Sequence, residues 1–176
     1  MANVDNPHGF RVIGHMFGVS PEVESMSKDA SEGTALFIND LIVQETDGNI
    51  AKGAASAALS GVNLNHGAAS TLTTHLIVCD PWVIGEMQDN SATDGFAAAD
   101  AGGNLDAAFN AGSATTKISG HELGEASFST TNTLQFHLRR LYNYADASGA
   151  NAYGGWGRWE VSFNNHRRTT GVVGLA

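Results

Sequence analysis

Disulfides, long apolar runs and charged residues are all scarce or absent in this chain of 176 residues. The single cysteine, Cys79, excludes an intramolecular disulfide, and its place in the apolar run LIVC indicates a small buried hydrophobe. We therefore expect synthesis in a reducing compartment, the cytoplasm. No apolar run reaches about 18 residues, and the start MANVDNPHGFRV has neither a basic nor an apolar signal region. We thus expect neither a membrane span nor signal-peptide secretion.

Positive charge is also scarce, with nine lysines and arginines against 18 acids and a net charge of −9. Five arginines and two acids give residues 139–176 a net charge of +3, so residues 1–138 carry −12. An acidic body of this kind argues against a protein that coats nucleic acid. The basic C-terminal part and the acidic remainder can instead attract each other, within one chain or between copies.

Glycine, by contrast, is abundant, with 21 residues, and together with the low charged fraction of 15% it favours turns over long surface helices. Two segments alternate apolar and polar side chains, as half-buried strands do. The polar positions include Gln135 in residues 133–141 and Glu160 in residues 159–164, and we predict that both sets face solvent. Short strands and glycine-rich turns predict an all-β fold, an antiparallel β-sandwich or barrel-like domain.

Several shorter segments give local predictions. The apolar run at residues 35–44 is interrupted at Asn39, which predicts a strand with a bulge or a tight turn at its middle. The tetrad TDGN at residues 46–49 places Asp-Gly between apolar flanks and predicts a hairpin. Residues 19–33, rich in acids and serines, predict a long surface loop. Residues 54–59 fit a helical turn and a loosely packed strand equally well.

The chain divides into an arm and one domain. Residues 1–10 have little to bury and predict an extended N-terminal arm, whose end Phe10 can anchor. Residues 11–176 predict a single β-rich domain, because their number suits one hydrophobic core. Within this domain, residues 90–114 predict a long Gly/Ala-rich loop layer, pinned to the core by its two phenylalanines.

One segment, HELGE at residues 121–125, suggests metal chemistry. It shares His-Glu with the zincin motif HExxH, but its fifth residue is Glu125 instead of a second histidine, and Gly124 weakens a helix. The hypothesis of a metal-dependent hydrolase would depend on this segment alone. The sequence has no P-loop, nucleophile elbow, dinucleotide glycine motif or cysteine pair. We therefore assign no catalytic residue, no metal ligand and no cofactor, and predict that the chain is not an enzyme.

One aromatic cluster, Tyr153, Trp156 and Trp159, stands among glycines. Exposed rings of this kind stack on sugars or bases, whereas buried rings would fill the corner of a barrel. Trp159 is in phase with the apolar face of the last predicted strand, so we expect it to be buried. Exposure of the other rings is the basis of an alternative function, the binding of surface glycans.

Four blocks follow one another in an order and spacing that resemble a known group of virion proteins. They are MANVDNPHGFRV at the start, HLIVCDPWVIGEMQDN in the middle, ISGHELGE after the Gly/Ala-rich segment, and WEVSFNNHRR near the end. Over nearly the whole chain they resemble the capsid decoration, or cement, proteins of cyanophages and related podovirus-like tailed phages. Trp82 and Gly85 depart from that pattern, where a small polar residue and a phenylalanine are expected. The residues that match it are Asn3, Val4, Asp5, Pro7, Asp80, Pro81, Gln88, Asn165 and His166.

The resemblance implies a β-rich protein without catalysis, which binds the outer surface of the phage head as a homotrimer near three-fold or quasi-three-fold positions and stabilises the capsid. Its partners would be the major capsid protein and copies of itself, with no nucleic acid and no membrane, after synthesis in the host cytoplasm. The alternative is a glycan-binding knob of a head or tail fibre. The candidate capsid or inter-subunit contacts are Asn3, Asp5, Phe10, Arg11, Arg139, Arg140, Arg167 and Arg168.

Overall fold

The predicted all-β, antiparallel sandwich is confirmed by a computed structural model, which describes residues 3–146 and 149–169. In that part of the chain the helical segments are two 3-10 turns, Ala98–Asp100 and Glu125–Ser127, and no helix there is long enough to cross a membrane. The strands are β1 (Arg11–His15), β2 (Val23–Lys28), β3 (Leu41–Gln44), β4 (Ile50–Lys52), β5 (Gly61–Asn63), β6 (Thr73–Val78), β7 (Val83–Gln88), β8 (Asn104–Leu105), β9 (Ala107–Ala108), β10 (Glu122–Leu123), β11 (Phe136–Leu141), β12 (Ala145–Asp146), β13 (Gly149–Ala150) and β14 (Arg158–Phe163).

Ten of these strands form two five-stranded antiparallel sheets. Sheet A has the order β1-β7-β14-β11-β8, and sheet B has the order β2-β6-β5-β3-β4. The other four strands pair as two short ladders, β9 with β10 and β12 with β13. The predicted antiparallel pairing of the last two long strands, β11 and β14, is confirmed.

The main core lies between the two sheets. Apolar side chains of both inner faces, such as Val161 on β14 and Val62 on β5, belong to one cluster of buried residues. Phe10 enters this cluster from the end of the arm, as predicted. Its ring stacks on those of Phe136 and Phe163, with centroids 5.6 and 5.0 Å apart. The arm therefore contributes directly to the core.

Gly85 on β7 leaves the space that the Phe10 ring fills. A Cβ atom at this position would lie 2.2 Å from Cζ of Phe10, so a larger residue would displace the ring. The phage-protein resemblance leads us to expect a phenylalanine at this position. In this chain the space beside Gly85 is filled by the ring of Phe10, which comes from the arm.

The outer face of sheet B carries a second, smaller apolar cluster. It contains Ile42, Ile77 and Cys79, together with Leu36 from the segment that covers this face. The prediction for Cys79 is confirmed, because its side chain is 1% exposed. Burial raises the pKa of its thiol to about 11, so the cysteine is a neutral packing group.

The chain passes from sheet B to sheet A at Asp80 and Pro81, where the sequence predicts a break. The Asp80 carboxylate accepts hydrogen bonds from the backbone N–H of Trp82 at 2.9 Å and of Glu22 at 3.3 Å, and it lies 3.0 Å from Nε2 of His15. Burial raises the pKa of this carboxyl, but these hydrogen bonds and the charge of His15 outweigh burial and hold the pKa below its usual value. One side chain thus joins β1, β2 and β7.

Both turn predictions are confirmed. Asn39 adopts a φ of 69°, a left-handed conformation that asparagine tolerates, and it interrupts the apolar run just before β3. The N–H of Glu45 donates to the carbonyl of Asn49 at 2.8 Å and closes the hairpin between β3 and β4. Gly48 supplies the positive φ, 91°, that this hairpin loop requires.

The predicted surface loop at residues 19–33 is wrong, because Val23–Lys28 form β2 and pair along their whole length with β6. Pairing with a neighbouring strand overrides the polar composition of this segment. Lys28 at its end is fully buried, and its ammonium group donates to the backbone carbonyls of Asp29 at 3.3 Å and Glu32 at 3.2 Å. A buried cation is therefore satisfied by the loop that follows it.

The two segments rich in alanine and glycine differ. Residues 54–59 adopt neither predicted form: they make a turn in which Ser56 has a φ of 59°, followed by the approach to β5. In residues 90–114, Phe96 is 2% exposed and Phe109 packs against the main core, so both phenylalanines hold this segment to the domain. This loop layer also contains β8 and β9, which the sequence does not predict.

The predicted solvent faces of the last two strands are wrong at Gln135 and along β14, although Arg139 on β11 is exposed as predicted. Gln135 is fully buried just before β11, and its side-chain amide donates to the carbonyls of Ala54 at 2.7 Å and Ala57 at 3.0 Å. Glu160 on β14 is 7% exposed, with its carboxylate 2.9 Å from Nε of Arg140. Alternation correctly separates the two faces of a strand, but a polar face is exposed only where no other segment covers it.

The described part of the arm, residues 3–10, lies against the domain without regular secondary structure. Gln88 on β7 holds it with both ends of its side-chain amide: Nε2 donates to the carbonyl of Val4 at 2.7 Å, and Oε1 accepts from the N–H of Asn6 at 2.9 Å. Residues 1 and 2 of the predicted arm, and residues 170–176 of the predicted domain, lie outside the described residues. The arm is thus held by its own chain.

The first prediction concerns the Phe10 ring. Replacing Phe10 by Ala is expected to lower the free energy of unfolding by about 3–5 kcal/mol, because a fully buried ring between two others is lost. Leu72→Ala is the control: that side chain is 68% exposed, and we expect a change of about 0.5 kcal/mol. Urea unfolding measures both. Equal losses in the two variants would contradict an arm anchored in the core.

Candidate interaction surface

An exposed aromatic pair lies where the chain crosses between the sheets. Phe17 follows β1 and Trp82 precedes β7, and their ring centroids are 5.5 Å apart. Phe17 is 67% exposed and Trp82 is 44% exposed. The N–H of Met16 donates to the carbonyl of Trp82 at 2.9 Å, which holds the two loops together. Two large rings are therefore presented to solvent by a fixed backbone.

Two exposed aliphatic residues lie on sheet B. Val23 on β2 is 48% exposed and Leu76 on β6 is 51% exposed. They are diagonal neighbours on one face, since Val23 pairs with Val78 and Ser25 pairs with Leu76. A group of exposed apolar side chains is a common feature of protein contact sites. We call the pair of exposed rings the Trp82 surface: Phe17 and Trp82.

The Trp82 surface borders two edge strands, β1 of sheet A and β2 of sheet B. An edge strand has a row of backbone N–H and C=O groups that can pair with another chain. β1 carries a register shift between Val12 and Gly14, which disturbs such pairing. β2 is regular over its six residues and, within the described part of the chain, pairs only with β6. Part of its other edge faces β4, the strand at the opposite end of sheet B, so only the remainder of that edge is open to a partner.

Two C-terminal arginines adjoin the same surface. Arg167 and Arg168 line, with Trp82, a depression of about 560 Å³. Arg168 makes hydrogen-bonded ion pairs of 2.5 Å with both Glu22 and Glu24, whereas Arg167 is exposed and has no ion pair with another described residue. The structure thus brings two of the predicted contact residues next to the exposed tryptophan.

Glu22, Glu24 and Cys79 are the one group of described residues whose possible metal-ligand atoms all lie within 4.8 Å of one another. Arg168 already pairs with both carboxylates. Burial raises the pKa of the Cys79 thiol to about 11, which opposes the thiolate form that a metal requires. The arrangement suits an ion-pair network better than a metal centre.

Of the three predicted contact residues in the arm, one is buried, one binds the domain and one is exposed. Phe10 is wrong as a surface contact, because its ring is fully buried in its own domain. The side-chain amide of Asn3 donates to the carbonyls of Ala152 at 2.9 Å and Gly155 at 3.1 Å, so it holds the arm to the domain. Asp5 is exposed and remains available to a partner.

The three predicted arginines of sheet A do not line the depression beside Trp82. Arg11 on β1 lies with Nη2 2.6 Å from the buried carboxylate of Glu86. Arg140 pairs with Glu160 across the β11–β14 ladder, and Arg139 beside it is exposed. These side chains are therefore separate from the Trp82 surface.

The HELGE segment forms no helix, since part of it is strand β10 and the rest opens a 3-10 turn. His121 is fully buried, with Nε2 3.3 Å from the Asp40 carboxylate and Nδ1 accepting from the N–H of Leu41 at 3.2 Å. Burial lowers the pKa of His121 to about 3, so the ring is neutral. The geometry that a zincin motif needs is missing, and the hydrolase hypothesis loses its support.

Glu122 of the same segment is a carboxyl group that is 7% exposed, and one of its oxygens accepts from Nδ2 of Asn110 at 2.6 Å. Burial, assisted by the negative charges of Asp5 and Asp89, raises its pKa to about 7. Burial also raises the pKa of Asp89 to about 6. Both carboxyl groups therefore take up protons at a higher pH than ordinary surface acids.

In the aromatic cluster near the C-terminus, the rings differ in exposure. Trp159 is fully buried, as expected. Tyr153 is 54% exposed and its ring centroid lies 5.7 Å from that of Trp159, while Trp156 is half-buried with a φ of 55°. A glycan-binding platform at this site would thus depend mainly on one exposed tyrosine. The Trp82 surface has more exposed apolar side chains.

Phe17 and Trp82 are not among the contact residues that the sequence predicts. A signal for Trp82 is its position in the short link between two apolar runs, next to Pro81, whereas Phe17 ends the first predicted strand, residues 11–17, before a predicted loop. A bulky ring in such a link has few routes into a core. The diagonal neighbours on sheet B could not be recognised, because β2 itself was not predicted.

Comparisons of the chain with protein-family models, with curated proteins and with solved structures find no match.

The second prediction concerns the pH dependence of Glu122. The folded-state pKa of about 7 lies above the ordinary value of 4.5, so ionisation destabilises the native state as the pH rises between these values. Glu122→Gln removes this penalty and keeps an acceptor for Asn110. We expect a gain of about 1–3 kcal/mol at pH 8, shrinking as the pH falls toward 4.5.

Urea unfolding at several pH values measures this gain. Glu45→Gln serves as the control, because Glu45 is exposed in the β3–β4 hairpin loop and its replacement should change little at any pH. A gain from Glu122→Gln that is equal at pH 8 and pH 4.5 would contradict the assignment of a buried, destabilising carboxylate.

Proposed function

We propose that this chain is a non-enzymatic capsid decoration protein of a tailed bacteriophage, which binds the outer surface of the head as a homotrimer and stabilises the capsid. The resemblance of four sequence blocks supports this proposal. The structural observation that supports it best is the Trp82 surface. A protein that works by binding other subunits needs exposed apolar area next to charged residues, and this surface has both.

The Trp82 surface is suited to the contact between copies in the trimer. Aromatic side chains are enriched at the centres of protein interfaces and charged ones at their rims. Phe17 and Trp82 would occupy the centre, with Arg167 and Arg168 at the rim. The acidic part of a second copy, residues 1–138 with a net charge of −12, complements the exposed guanidinium of Arg167. The open part of the β2 edge would be covered by the same contact.

Three identical contacts of this kind can close a ring. In such a ring the Trp82 surface of each copy contacts a different surface of the next copy. A trimer presents three sites to the capsid at once, so weak individual contacts add up through effective concentration. Asp5, Arg139 and Arg140, which lie apart from the Trp82 surface, remain candidates for contact with the major capsid protein.

The third prediction is the mass of the protein in solution. Light scattering at micromolar concentration should give about 55 kDa, three times the chain mass of 18.4 kDa. Trp82→Asp should reduce it to the mass of one chain, because the centre of the contact would lose its aromatic anchor and gain a charge that must be desolvated. Tyr153→Asp, at an exposed aromatic residue outside the Trp82 surface, should remain trimeric. A monomeric wild-type protein would overturn the trimer.

The fourth prediction concerns capsid binding. Purified wild-type protein should co-sediment with undecorated capsids of its phage. Trp82→Asp should co-sediment only weakly, because a monomer lacks the multivalent attachment of a trimer. Tyr153→Asp should behave like the wild type. If the wild-type protein fails to co-sediment in every capsid state, capsid decoration is wrong, even if the protein is a trimer.

A further inference from the structure

A groove with a volume of about 610 Å³ lies between the N-terminal arm and the segment 111–120. The arm residues Asn6, Pro7 and His8 form one wall, and residues of the segment 111–120 form the opposite wall. Arg11, Tyr144 and Arg158 also line it. The volume falls in the range of about 300–1,000 Å³ that is usual for small-molecule sites.

Arg158 is the central polar group of this groove. Its side chain is only 13% exposed, and its guanidinium lies over the ring of Tyr144, 4.8 Å from the centroid. The nearest carboxylate oxygen, Oε1 of Glu86, is 3.6 Å from Nη1, which is too far for a hydrogen bond. The guanidinium of Arg158 makes no hydrogen bond to any described residue. A largely buried cation is thus held in place while its donors remain unused.

Arg11 is the second cation of the groove. Its Nη2 lies 2.6 Å from Oε2 of Glu86, and its guanidinium lies 6.0 Å from the centroid of the Tyr142 ring. Burial raises the pKa of Glu86, but the hydrogen bond and charge of His8 and the charges of Arg11 and Arg158 outweigh burial and lower that pKa. Glu86 is therefore ionised, and two arginines against one carboxylate leave a positive charge in the groove.

The opposite wall adds neutral hydrogen-bonding groups. Ser113 and Thr116 both line the groove, and the Ser113 hydroxyl oxygen accepts from the N–H of Thr116 at 3.1 Å. Hydroxyl groups facing a guanidinium across a groove can complete the coordination of an oxyanion. A positive groove is also unusual in a chain of net charge −9, because most of its surface repels anions.

We propose that this groove binds the oxyanion of a small ligand, a carboxylate or a phosphate, with Arg158 as the principal recognition residue and Arg11 as the second cation. The planar guanidinium matches either oxyanion through two parallel hydrogen bonds. Tyr144 fixes the plane of Arg158 from one side. The arm supplies a wall of the site, so ligand binding also favours the docked arm. The proposal does not depend on a role in the capsid.

The fifth prediction tests this site with inorganic phosphate and with citrate, each titrated against the protein and followed by amide chemical shifts in NMR. Sodium chloride at matched ionic strength is the reference, because it screens charges without offering a bidentate oxyanion. We expect phosphate, citrate or both to shift the amides of residues 111–120 and of His8 in a saturable manner. Citrate alone would identify a carboxylate ligand, and phosphate alone a phosphate ligand.

Arg158→Gln should weaken binding by about tenfold or more, because it removes the charged fork. Arg158→Lys keeps a positive charge near Glu86, so the fold is retained, and it should also bind more weakly since a lysine cannot make two parallel bonds. Lys52→Gln, which removes a positive charge outside the groove and keeps a side-chain donor, should bind like the wild type. Shifts no larger than those with chloride, or wild-type affinity in both Arg158 variants, would overturn the proposal.

Discussion

The carboxylate of Asp80 is the interaction on which the arrangement of the two sheets depends. Pro81 has no N–H and a fixed φ, so the chain cannot continue in the ladder of sheet B. Asp80 then caps the N–H of Trp82, two residues later, as aspartate does in tight turns. The same carboxylate also binds His15 and the N–H of Glu22. Because these loops meet at the end of the sandwich, the rings of Phe17 and Trp82 have no core to enter and face solvent.

Much of the fold follows from the sequence because local signals and tertiary structure agree there. The hairpin loop with Gly48, the turn at Asn39 and the alternation in β14 are encoded within a few residues. The missed strand β2 has no such local code, because it is defined by its pairing with β6. Gln135 shows the same limit: a polar residue just before a strand can face water or be buried by a distant loop, and only tertiary contacts decide.

The candidate sites were harder to predict, because they combine residues that are distant in the chain. The charge of Arg167 and Arg168 predicts a contact role for them, but their place beside Trp82 depends on the crossing at Asp80. Arg158 lies in the groove because the arm folds back over sheet A. β1 connects the two places: Arg11 at its start faces the groove, and His15 at its end binds Asp80, about 13 Å away along the strand.

The central position of β14 also determines the order in which the protein can be built during translation. Sheet B consists of strands from residues 23–78, so it can pair while the rest of the chain is still being synthesised. In sheet A, β14 lies between β7 and β11. Because β14 is formed by residues 158–163, it is synthesised after both of its neighbours. Until the ribosome has released that segment, β7 has an open edge beside an unfinished core. Contacts of such long sequence separation make this half of the molecule the slower one to fold.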